Sequence, residues 1–114
     1  MKFMLQVRFN GADTVIGELP AGEQQKVTAE FEAIRRYPGV LDGSQLQAAD
    51  TAATVRVDSG QAQVTKGPAV RAGNELDGYY IYGAPDLDAA IAFAARIPAA
   101  RFGATIEVRP MLER

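Results

Sequence analysis

Residues 2–9 alternate with a period of two. Phe3, Leu5, Val7 and Phe9 fall on one side, and Lys2, Met4, Gln6 and Arg8 on the other. A strand with that pattern has one apolar face and one wet face. It belongs in a sheet covered on one side, and the cover must come from elsewhere in the chain. Two helical segments can supply it. Pro20 stands where a first helical position tolerates a missing N–H, and Val27, Phe31 and Ile34 then recur at i, i+4 and i+7. Glu32 and Arg36, four residues apart, can pair outside that stripe, and Pro38-Gly39 stops the helix. Further along, Asp86 is placed to cap a second helix. Leu87, Ala90, Ile91 and Ala94 form its expected buried stripe, and Pro98 ends it.

The other segments read as extended. One runs over about 40–47. Residues 54–58 and 61–65 flank Ser59-Gly60, and a two-residue turn there sets Val57 opposite Ala62, Val55 opposite Val64, and Arg56 opposite Gln63 on the other side. Lys66-Gly67-Pro68 closes this hairpin, and strands over 78–82 and 105–109 follow. The stretch holding Gly11 and Gly17 reads as a loop. The order is strand, helix, strand, hairpin, strand, helix, strand. That is an α+β chain, a ferredoxin-like β-α-β-β-α-β plait with an inserted β-hairpin. A length of 114 residues fits one domain over 1–114, large enough to hold a core without disulfide or metal staples.

Composition narrows the chemistry. The chain has no Cys and no His, which removes Ser-His-Asp and Cys-His nucleophiles, thiol redox chemistry and most zinc and haem ligation. Asp42, Asp50 and Asp58 lack metal-ligand spacing, so no metal and no cofactor is expected. Twelve Lys+Arg against 14 Asp+Glu give a net charge of −2, which argues against direct nucleic-acid binding. No phosphate-binding Gly-rich loop occurs. The apolar run after Met1 breaks too early for a signal peptide or a membrane span, leaving the cytoplasm as the expected location.

Several segments, in order, resemble the YCII-related family in its DGPF-motif branch, over essentially the whole chain. They are Met1-Lys2-Phe3-Met4-Leu5, Thr54-Val55-Arg56, Thr65-Lys66-Gly67-Pro68, Leu76-Asp77-Gly78-Tyr79-Tyr80, Asp86-Leu87-Asp88-Ala89-Ala90, Ala95-Arg96-Ile97-Pro98-Ala99-Ala100 and Ile106-Glu107-Val108-Arg109-Pro110. The resemblance implies a homodimeric α+β barrel in which two sheets pack together. It also implies a family of largely unestablished biochemistry, some members being associated with alternative sigma factors. Structural relatives include muconolactone isomerase-like enzymes and small monooxygenases. The branch's Asp-Gly-Pro-Phe motif reads Lys66-Gly67-Pro68-Ala69 here, and the His paired with an Asp in proposed enzymatic relatives has no counterpart.

On this reading the wet sheet face carries Arg8, Glu107 and Arg109, with Tyr80 and Tyr82 beside them if Tyr79 and Ile81 point inward. Arg56 and Lys66 of the hairpin add further cations. These six cationic and phenolic groups (Arg8, Arg56, Lys66, Tyr80, Tyr82 and Arg109) are the candidate site for a small anionic ligand. Alternatively, Arg109 pairs with Glu107, the tyrosines fill a dimer interface, and Lys66 is a solvated turn residue. Asp86 and Asp88 are explained as cap and dipole partners. The expected function is a homodimeric small-molecule-binding module. The alternatives are a cofactor-free isomerase- or lyase-type enzyme with Glu107 or Asp77 as base, and an accessory protein in sigma-factor-linked transcription.

Overall fold

The computed structural model describes residues 1–113. The first strand, β1 (Lys2–Arg8), lies in the middle of a four-stranded sheet. Its neighbours are β5 (Gly78–Gly83) and β6 (Thr105–Pro110), with β2 (Val40–Gln45) outside β5, and every pairing is antiparallel. Phe3 and Leu5 are fully buried and Val7 nearly so, while Met4, Gln6 and Arg8 are half-exposed. The register carries that division across the sheet. Leu5 lies opposite Tyr80 and Val108, and Phe3 lies opposite Tyr82. Met4 faces Ile81 and Arg109, and Gln6 faces Tyr79 and Glu107, so these residues share the bare side.

Tyr80 and Tyr82 are therefore on the covered face, a correction of the expectation that Tyr79 and Ile81 point inward. Alternation identifies a strand but not which parity is covered, and two large rings fill this core better than one Tyr and one Ile. The Tyr82 ring stacks on Phe93 with centroids 4.1 Å apart and planes 7° from parallel, and Tyr80 meets the same ring edge-on at 6.0 Å. Two glycines make room for these rings. A Cβ at Gly43 would come within 2.9 Å of the Tyr80 ring and the Tyr79 carbonyl. At Gly39, with φ +100°, one would lie 2.7 Å from the Tyr82 ring.

The cover consists of three helices. The segment read as a loop contains α1 (Ala12–Gly17), entered through left-handed Asn10 and Gly11 and anchored by buried Ala12. Helix α2 (Ala21–Ile34) has Pro20 one position before its first helical residue. It buries Val27 and Ile34, with Phe31 partly buried beside them. Glu32 and Arg36 form no ion pair among the described residues; Glu30 instead holds Arg101 in a two-bond fork. In α3 (Leu87–Ala94) the Asp86 carboxylate accepts a 2.8 Å bond from Ala89 N–H, as a cap should. Its buried residues are Ala90, Phe93 and Ala94, while Leu87 and Ile91 are exposed. The buried stripe is thus turned from the expected one, because Phe93, the helix's largest side chain, takes the place over the tyrosines.

The hairpin of β3 (Ala53–Asp58) and β4 (Gln61–Lys66) has the register expected from its turn, with Ser59 and Gly60 both at positive φ. It forms a two-stranded sheet of its own. The chain is a mixed α+β fold with two separate sheets. The expected barrel, a plait closed with a partner into an α+β barrel, is corrected: β2 and β6 are open edges, and neither sheet closes. The four-stranded sheet is too short to curl onto itself, and the hairpin is not hydrogen-bonded to it. Among the described residues no helix is long and apolar enough to cross a membrane.

Replacing Phe93 by Ala removes the ring on which Tyr80 and Tyr82 rest. The expected loss is about 3–5 kcal/mol in urea unfolding, against about 0.5 kcal/mol or less for truncating a side chain that packs on nothing. Ile91→Ala, on the exposed side of α3, is the control.

Candidate functional site

Helix α2 rests on α1 and on the 3-10 turn Pro98–Phe102 rather than lying flat along the sheet. The Glu30–Arg101 fork fastens that arrangement, and this hydrogen-bonded pairing pulls the Glu30 carboxyl below its ordinary range. A cleft of about 250 Å³ remains between α2 and the sheet where β1 ends and β5 begins. Val7, Phe9, Phe31 and Ile97 are among its apolar walls. The polar groups at it include Arg35, Asp77, Tyr80 and Thr28.

Each has a distinct standing. Asp77 is committed to the fold: its carboxylate accepts a 2.8 Å bond from Phe9 N–H, its N–H donates to Val7 O, and its carbonyl accepts from Leu46 N–H. One residue thus ties the exit of β1 to the chain beyond β2. The Tyr80 hydroxyl makes no hydrogen bond among the described residues, and burial pushes its pKa up, with the nearby Arg35 charge acting against that shift. Arg35 is exposed and takes part in no ion pair or side-chain hydrogen bond among the described residues. An unpaired guanidinium beside a phenolic donor, at the edge of an apolar cleft, is suited to a carboxylate or another small oxyanion.

The residues singled out from the sequence do not meet in one place. Tyr80 and Asp77 line this cleft, and Tyr82 is beneath Phe93 in the core. Arg8 and Arg109 share the bare sheet face with Glu107, but both are engaged. Arg8 donates to Asn74 O and Gln6 Oε1 at 3.1 Å, and Arg109 pairs with Glu107 at 2.6 Å. Glu107 Oε2 is shielded from water and meets no donor in hydrogen-bond alignment, so the Arg109 charge is what compensates it. Arg56 and Lys66 belong to the hairpin sheet, opposite Gln63 and Ala53. Arg8 also borders an open hollow of about 590 Å³ at the hairpin's base, with Thr54, Pro68 and Val70. Sequence reading missed Arg35. Its signal was positional: Thr28, Glu32 and Arg35 follow one another at helical spacing along the flank of the Val27–Phe31–Ile34 stripe.

An open four-stranded sheet with helices on one face, a small and mostly apolar cleft beneath one of them, and a separate hairpin sheet define a mixed α+β protein. Over residues 1–113 the chain matches the model of the YCII-related domain, and it belongs to the YCII-related family. Comparison with curated proteins found no match.

Two outcomes follow from this geometry. Asp77→Ala frees the Phe9 N–H and lowers stability by about 1–3 kcal/mol, read by urea unfolding. Tyr80, whose folded pKa lies above its unfolded one, contributes stability that is present below the unfolded value and lost as pH rises through the folded value. Unfolding free energy therefore falls above about pH 10, and Tyr80→Phe flattens that slope. An unchanged slope in the variant refutes the assignment.

Proposed function

We propose that the chain, a single YCII-related domain over residues 1–114 of the DGPF-motif branch, is a homodimeric cytoplasmic module that binds a small anionic metabolite in the cleft under α2. The observation that carries this reading is Arg35, unpaired among the described residues, beside the Tyr80 hydroxyl and against walls that include Phe9 and Phe31. A volume of about 250 Å³ lies at the small end for ligand sites, which commonly span roughly 300–1,000 Å³. It favours a compact ligand with an apolar body and one anionic end. Arg8, Arg56, Lys66 and Arg109 line none of this cleft; in this reading they act on the anion's approach through their summed field.

A second reading, a cofactor-free isomerase or lyase, draws support from Asp77, a carboxylate in the same cleft. Glu107 supports it less, being paired with Arg109 on the other side of the sheet. The binding reading is favoured because the Asp77 carboxylate already holds Phe9 N–H.

The test is a panel of small aromatic and aliphatic carboxylates, each beside its uncharged amide, followed by thermal shift and calorimetry. Some carboxylates bind and their amides do not. Arg35→Ala weakens the best of them about 10- to 100-fold and Tyr80→Phe several-fold, as loss of a charged and a neutral hydrogen bond predicts. Wild-type protein indifferent to every carboxylate, or Arg35→Ala binding as wild type does, overturns the proposal. Chemical conversion of a bound carboxylate, lost in Asp77→Asn, transfers the case to the enzyme reading.

A further inference from the structure

The cleft under α2 holds charges of both signs, and no ion pair joins them. Asp77 and Glu32 line it together with Arg35, so two carboxylates stand against one guanidinium. Glu32 and Arg35 are three residues apart, a spacing at which opposite charges on a helix can meet. Among the described residues they form no ion pair with each other or with any other group. Asp77 is half-buried and also has no cation as partner there. Its Oδ2 accepts from Phe9 N–H, whereas Oδ1 makes no hydrogen bond among the described residues and is open to solvent. A carboxylate left partly dry without a counter-charge is unfavourable, and a cation that supplies one is drawn to it.

That arrangement sorts ligands by charge. A simple anion gains Arg35 and the Tyr80 hydroxyl but is set beside two carboxylates. A simple cation gains the carboxylates but meets the guanidinium. A molecule with one charge of each sign satisfies both, and like-charge contacts disfavour the others. The walls add a second requirement. Val7, Phe9, Phe31 and Ile97 offer apolar surface, and a volume of about 250 Å³ limits the body placed against it. The cleft therefore suits a compact apolar body that carries an ammonium and a carboxylate.

We infer that the ligand is a zwitterion of the apolar amino-acid type, with its carboxylate on Arg35 and Tyr80 and its ammonium on Asp77 Oδ1 and Glu32. This deepens the proposed function and rests on it, since the anionic end assigned there to Arg35 and Tyr80 becomes one end of the molecule. Asp77 keeps its place in the fold through Oδ2 while its other oxygen accepts an ammonium N–H, a charge-assisted bond. Glu32 is more exposed than Asp77 and contributes less, because water screens it.

Calorimetry on the full chain tests this with matched sets: leucine with isocaproate and isoamylamine, and phenylalanine with hydrocinnamate and phenethylamine. In each set the amino acid binds at least about tenfold more tightly than either one-charged analogue. Asp77→Asn weakens the amino acid about 10- to 100-fold and leaves the amine-free acid bound as before or better. Glu32→Gln acts in the same direction, several-fold. The Asn carbonyl can still accept from Phe9 N–H, so that variant removes a charge and keeps the joint. The wild-type comparison needs no variant and decides the matter if the joint fails. Isocaproate and hydrocinnamate binding as tightly as their amino acids overturn the zwitterion and leave the anion reading standing. Amino acids that bind equally well to wild type, Asp77→Asn and Glu32→Gln overturn it too. Amines that bind as tightly as the amino acids overturn both readings, and so does a wild type that binds no carboxylate of either kind.

Discussion

The ring of Phe93 is the contact on which the arrangement depends. It comes from α3 and lies on Tyr82, with Tyr80 at its edge and the Tyr37 ring 5.5 Å away. Aromatic pairs of these geometries contribute about 0.5–1.5 kcal/mol each beyond the area they bury, and here one ring serves three partners, two from β5 and one from the chain just before β2. Arg96 sits over Tyr37 and donates to its hydroxyl, so the outer end of the cluster is closed by a charged group. Gly39, just before β2, and Gly43 within it follow from the same packing, since the rings leave no space for a Cβ at either position. The cleft follows as well. Burying the Tyr80 ring under Phe93 brings the residue to the cleft wall beside Arg35, so a core contact supplies one of the two donors of the candidate site.

What could be read in advance divides along physical lines. Signals confined to a few neighbouring residues were legible: the alternation of β1, the Ser59-Gly60 turn with its register, the Asp86 cap and the Val27–Ile34 stripe all correspond to local geometry. What failed required knowledge of a distant partner. Tyr80 and Tyr82 alternate as well one way as the other until Phe93 decides the face, and Leu87 and Ile91 suit a buried stripe equally until the same ring turns α3. The barrel came from resemblance, and strand pairing alone decides closure. The residues singled out in advance do not meet at one place, apart from Tyr80 and Asp77 at the cleft. Arg8 and Arg109 are spent on neighbours, whereas Arg35 was hidden as an ordinary surface position at the end of α2.

The hairpin's exit is closed through the backbone of Gly67. Gly67 has φ +101°, its N–H donates to Ala52 O, and its carbonyl accepts from the Thr54 hydroxyl. Those bonds join the two ends of the hairpin and need a residue that adopts left-handed backbone. Nothing in them depends on the side chains of Lys66 or Ala69. Gly67 therefore serves conformation, and the two ends of the hairpin are joined whatever side chains flank it.

The two carboxylates considered as bases also bear on whether the cleft binds or converts its ligand. A general base must exchange a proton without losing its place. Protonating Asp77 would weaken its bond with Phe9 N–H and loosen the joint between β1 and β5 that shapes the cleft. Protonating Glu107 would leave Arg109 without its partner on the bare face, away from Tyr80 and Arg35. With no His in the chain, no other side chain ordinarily titrates near neutrality. Burial pushes the Tyr80 hydroxyl's pKa up, so it keeps its proton at neutral pH. Donors that keep their protons fix and orient an anion but do not carry a proton cycle, and this asymmetry between the cleft's donors and its carboxylate is the physical argument for proposing binding ahead of turnover.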